Sequence, residues 1–118
     1  MMRRALFGVL LLLGACAGML AREHATLPAL RGDWPHVRAL ALRGDAQIEL
    51  TAARMGAALD AGDRPTIAAT WLPLEVAALA GVEAELTAKE IGPVGAQTAR
   101  DMVEQFGRGV AAIGGPAR

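Results

Sequence analysis

Serine, asparagine and tyrosine are absent from this 118-residue chain, and cysteine occurs once, at position 16. A lone thiol forms no intrachain disulfide, so the fold is not a disulfide scaffold. Without serine, and with that one thiol near the start, the candidate nucleophiles reduce to threonines, carboxylates and Lys89, the single lysine. Catalysis is therefore not expected. Charge of either sign is not in excess, with 12 basic and 12 acidic residues and no basic cluster that could track phosphates. Nucleic-acid binding is not expected either. Aromatics are scarce: Trp34, Trp71 and Phe106 are the only ones beyond position 7.

What the chain does contain is alanine and leucine at helical spacing. Hydrophobic residues make up 53% of it, but much of that share is alanine, which favours helix and buries little area. Nothing alternates with period two for long enough to make a strand, so the expected class is all-α, a small bundle of three to four helices. The first helical pattern covers Leu27 to Leu42. Pro28 and Pro35 are expected to confine its regular part to the stretch after Asp33, a candidate N-cap. A second helix is expected from Ala46 to Ala61, with Ile48, Ala52, Met55 and Leu59 on one face. A third is expected from Pro65 to Ala80, with Ile67, Trp71, Leu74 and Ala78 in a stripe and Pro73 as a kink or late start. Val82 to Lys89 either continues that helix past Gly81 or forms a short one of its own. The last helix spans Val94 to Ile113, with Val103, Phe106, Val110 and Ile113 as its stripe.

A weak internal repeat runs through this pattern. Trp34 precedes Gly44 by the same interval as Trp71 precedes Gly81, and Thr51-Ala52 with Met55 is echoed by Thr98-Ala99 with Met102. Such a repeat implies two helix pairs packed face to face, each contributing one tryptophan to a shared core. The unit length approaches that of tetratricopeptide repeats, but most signature residues are missing and two copies are too few for a solenoid.

The start of the chain has its own grammar. Arg3 and Arg4 precede an apolar stretch from Ala5 to Leu13, too short for the roughly 20 residues of a membrane-spanning helix. Small residues follow, then the cysteine, in the order of a secretory signal. Leu13-Gly14-Ala15-Cys16 resembles the lipobox of bacterial lipoproteins. That resemblance implies cleavage between Ala15 and Cys16 and a diacylglycerol thioether on Cys16. It also implies an N-acyl chain such as palmitate on the new amino terminus. Alanine at position 17 is not the aspartate that retains such proteins in the inner membrane of enterobacteria, which implies the outer membrane and its periplasmic face. The expected organisation is a signal peptide over 1–15, a lipidated tether over 16–26, a helical domain over 27–113 and a flexible tail over 114–118. The mature chain is also loosely similar to short lipoproteins from prophage-like regions of high-GC bacterial genomes. Trp34-Pro35, Leu59-Asp60-Ala61-Gly62-Asp63 and Glu90-Ile91-Gly92-Pro93 carry that likeness.

Candidate sites are few. Trp34 and Trp71 are expected to fill the core, with Trp34 also a candidate partner contact. His24 and His36 have no metal-ligand spacing, so no metal and no cofactor beyond the covalent lipid is expected. Glu83, Glu85 and Glu90 are expected on a solvated helical face, with Lys89 four residues after Glu85 in the supportive order. Glu83, Glu85 or Asp101 would have to face another carboxylate across a cleft to serve an enzyme. Arg31-Gly32-Asp33 and Arg43-Gly44-Asp45 spell an adhesion tripeptide, but both are expected to be helix-boundary chemistry. The function these features indicate is a lipid-anchored envelope protein that binds an envelope partner without catalysis. A tethered carrier of a small apolar ligand, in a pocket bounded by Trp71, Leu79 and Phe106, is the alternative. An outer-membrane accessory to phage lysis is another.

Overall fold

The computed structural model of the chain describes residues 27–114, and all regular structure there is helical. Four helices follow one another: α1 (Leu27–Ala41), α2 (Ala46–Ala61), α3 (Arg64–Thr87) and α4 (Pro93–Gly114). The expected signal peptide, Cys16, the tether, His24 and residues 115–118 of the expected tail lie outside the described residues.

Two of the helix boundaries are set by aspartate caps. The Asp45 carboxylate accepts from the N–H of Gln47 at 2.8 Å and of Ile48 at 3.4 Å, opening α2. Asp63 opens α3 by accepting from the Thr66 N–H at 3.3 Å and the Thr66 hydroxyl at 2.6 Å. Those two bonds, the hydroxyl one first, hold the exposed Asp63 carboxyl below its ordinary pKa. At the end of α2, Gly62 takes a left-handed conformation (φ 68°), its N–H donating to the Leu59 carbonyl while Asp63 N–H reaches Ala58. The end of α3 repeats that closure with a lysine in glycine's place. Lys89 sits at φ 60°, donating to Leu86, and Glu90 N–H donates to Glu85 at 2.9 Å. Lys89 therefore lies outside the helix, and the expected Glu85–Lys89 helical pair is not formed.

The regular part of α1 is longer than expected, and α3 takes the continuous of the two courses left open beyond Gly81. Helix α1 begins at Leu27, so Asp33 is an interior, half-buried residue and not a cap, and Arg31-Gly32-Asp33 lies within the helix. Pro28 falls in the first turn, where its missing N–H has no intrahelical partner to lose. Pro35 and Pro73 stand inside α1 and α3, both on exposed faces where water can serve the freed carbonyls one turn earlier. Helix α3 also passes through Gly81 to Thr87 without a break. Gly81 is kept helical by packing: a Cβ built there would lie 1.9 Å from the Leu40 carbonyl oxygen, so the backbones of α1 and α3 touch.

Helix α3 contacts all three other helices and is the axle of the bundle, with α2 and α4 as its flanking neighbours and α1 across it. Phe106 lies in the core, 1% exposed, with ring centroids 5.9 Å from Trp34 and 4.8 Å from Trp71. Around it close Leu30, Val37, Met55, Leu59, Ile67, Leu74, Val82 and Val103. The apolar stripes read from spacing are buried, apart from the half-buried Ile48 and Ile113 at the helix ends. The duplicated-pair reading has a partial counterpart. The Trp34 indole nitrogen would stand 3.4 Å from a Cβ on Gly56 of α2, and that of Trp71 3.0 Å from one on Gly107 of α4. The paired glycines of the repeat do not correspond, because Gly44 sits in a loop at φ 93° and Gly81 in a helix.

Candidate functional surface

Helix α3 is apolar over most of its circumference, its charged residues being Arg64, Glu75, Glu83 and Glu85. An 18-residue window of it averages a hydropathy of 1.4, long and apolar enough to cross a membrane, yet 39% of that window is buried inside the bundle. Its inner face carries Ile67, Thr70, Trp71, Leu74, Ala78, Gly81 and Val82 into the core. The opposite face ought to be polar in a helix packed on one side only. It carries Pro65, Ala69, Leu72, Val76, Leu79 and Glu83 instead, at alternating steps of four and three. Leu72 is 67% exposed and Val76 62% exposed, one turn apart on the same strip. The one charged residue on this strip is Glu83 at its far end, and it is ion-paired with Arg100 of α4. Leu50 and Val94, the other large exposed apolar residues, lie on α2 and α4.

Two grooves lie elsewhere on the bundle, neither lined by residues of this strip. One, of about 420 Å³, runs between α1 and α2 and is lined by Trp34, Arg38, Leu42, Glu49, Ala52 and Gly56, among others. The other, about 360 Å³, lies where α2 meets the start of α3, along Arg54, Ala57, Ala61, Asp63 and Thr66. Both are open to solvent and mixed in polarity. Neither is lined by Trp71, Leu79 or Phe106, the residues named for an apolar-ligand pocket; Trp71 and Phe106 are buried against each other. Trp34 is 8% exposed, so its part in any contact is limited to the edge that borders the first groove.

The carboxylates do not converge. Glu83 is paired with Arg100 of α4, whose Nε also donates to it at 3.2 Å. Glu85, two residues on, points to another side of the helix and is half-buried. Asp101 accepts from Gln97 at 2.8 Å on the exposed face of α4. Glu90 is exposed beyond the end of α3, and His36 is exposed on α1. Among the described residues no three His, Cys, Asp or Glu side chains are gathered as metal ligands. Arg31, on α1, donates from Nε to the Leu59 carbonyl at 2.7 Å, bracing the end of α2. One buried polar atom, the Trp71 indole nitrogen, has no hydrogen-bond partner among the described residues; it faces Gly107 next to the Glu75 carboxylate.

The outward strip of α3 is what reading by stripes missed. Its signal was present in the spacing of Ala69, Leu72, Val76 and Leu79, but the inner stripe of the same helix accounted for the pattern first. No family model, curated protein or solved structure matches the chain.

Proposed function

We propose that this chain is a lipid-anchored envelope protein whose helical bundle is a non-catalytic binding module. The anchor is Cys16, acylated after cleavage at Ala15–Cys16, and the site of residence is the periplasmic face of the outer membrane. The order Arg3-Arg4, apolar stretch, Leu13-Gly14-Ala15-Cys16 supports it. Several acyl chains, each buried CH2 contributing about 0.8 kcal/mol, make such an anchor effectively permanent. The binding reading rests on one observation: the exposed apolar strip of α3, centred on Leu72 and Val76. Apolar surface left in water on an otherwise well-filled bundle is unfavourable, and covering it with a partner recovers that free energy.

The two halves of this reading are tested apart. Cys16→Ser is expected to abolish labelling by radioactive fatty acid and leave the leader attached; undiminished labelling refutes the anchor. Leu72→Glu is expected to leave the helical circular dichroism spectrum unchanged while removing proteins crosslinked to the bundle in living cells. An unaltered crosslinking pattern refutes the strip as the binding surface.

A further inference from the structure

We propose that the groove between α1 and α2 binds a small molecule carrying a carboxylate and an ammonium on a compact apolar body, such as an aliphatic amino acid. This depends on neither the lipid anchor nor the strip of α3. Two helical stripes form the walls. Trp34, Arg38 and Leu42 stand four apart along α1 and its last turn, which the Leu42 N–H extends by donating to the Arg38 carbonyl at 3.0 Å. Glu49, Ala52, Ala53 and Gly56 face them from α2 at steps of three, one and three. Alanine and glycine on that wall leave about 420 Å³ open, a volume in the range of small-ligand sites.

The polar groups of the groove suit a zwitterion. Trp34 is 8% exposed, and its indole nitrogen stands 3.4 Å from where a Cβ on Gly56 would be, at one end of the groove. That N–H has no acceptor among the described residues and, unlike the sealed Trp71 nitrogen, borders the groove. Arg38 follows one turn later on the same wall, exposed, with Glu49 on the opposite wall. Among the described residues no ion pair joins those two. A carboxylate set between Trp34 and Arg38 accepts from the indole N–H and the guanidinium together, a charge-assisted pairing. Glu49 is the one carboxylate lining the groove; it repels a simple anion and accepts from an ammonium group. Leu42, Ala52 and Ala53 are left for the apolar body. The groove at the start of α3 lacks this arrangement, since its carboxylate, Asp63, is taken up by the Thr66 hydroxyl. Arg38 and Glu49 both stay wet, so binding is modest, with a Kd of about 1 mM.

Nuclear magnetic resonance of the isotope-labelled full chain in detergent micelles tests this, with leucine as the probe. The Trp34 indole N–H resonance is identified by its loss in Trp34→Phe, and it is expected to move downfield and saturate as leucine is added. Arg38→Gln, a change on an exposed face, should weaken binding by at least about tenfold. Gly56→Ala separates binding from folding. Its methyl would rest against the indole nitrogen at ordinary contact distance, covering the N–H without forcing the helices apart, and alanine favours helix over glycine. The thermal midpoint should therefore hold or rise while the leucine-induced shift is lost. Isocaproate lacks the ammonium of leucine and isoamylamine lacks its carboxylate, and each should bind at least about fivefold more weakly. A Trp34 resonance that stays still with about 10 mM leucine, in a chain whose circular dichroism shows the helices formed, overturns the site. An undiminished shift in Arg38→Gln or Gly56→Ala overturns it as well. Equal binding of isocaproate overturns the part given to Glu49, and equal binding of isoamylamine overturns the carboxylate as the group recognised.

Discussion

Single positions fix how closely these helices approach. Gly81 is the tightest: with Leu40's carbonyl oxygen 1.9 Å from where a Cβ would stand, α1 and α3 must separate to admit a methyl group. Gly81→Ala is expected to destabilise the protein by about 3 kcal/mol or more, read as a shift of the urea midpoint. A change below about 1 kcal/mol would mean that the two helices are free to slide apart. Lys89 makes the opposite case. It holds a left-handed conformation that costs a non-glycine residue about 1 kcal/mol, in the position that Gly62 fills at the end of α2. Lys89→Gly is expected to raise stability by about 0.5–1 kcal/mol, and a loss of stability would contradict the closure described. The same closure explains why charge spacing misled at this point. Glu85 and Lys89 are four apart in sequence, but the helix ends between them.

Helix identity was legible where the apolar period was uninterrupted and the punctuation was local. Helix α2 runs over Ala46–Ala61 as its spacing predicts, closed by the Asp45 cap and the Gly62 stop, because cap and breaker act within a few residues. Helix α1 was under-read, and α3 left open past Gly81, for the same physical reason: Pro35, Pro73 and Gly81 break helices in isolation, but tertiary packing overrode them here. That override is invisible without knowing that the prolines face water and that Gly81 faces Leu40. The cap of α3 carries a pH signature. Hydrogen bonds from Thr66 lower the Asp63 pKa, so the cap's contribution is present above the ordinary aspartate range and is lost as pH falls through the depressed value. In Thr66→Val the Asp63 carboxyl is expected to titrate at higher pH than in the parent, followed by its carbon chemical shift. An unchanged titration would remove the hydroxyl as the cause.

Among the described residues the bundle has a well-filled interior and an exposed apolar strip on α3. Three aromatic rings, Trp34, Phe106 and Trp71, supply the bulk that an alanine-rich chain otherwise lacks. The burial of the two tryptophans was legible from scarcity, since the chain has few other bulky residues, and that of Phe106 from its stripe. The strip of α3 could be read from its spacing but its exposure could not, because exposure depends on where α2 and α4 stop covering it. In the proposed reading the Leu13–Cys16 motif would hold this domain near its partner. The most direct measurement is the intact mass of the protein isolated from its native membrane. The account predicts a chain beginning at Cys16 and heavier than its residues by a diacylglycerol and an N-linked acyl group. A free thiol on Cys16, or residues 1–15 still attached, would contradict it.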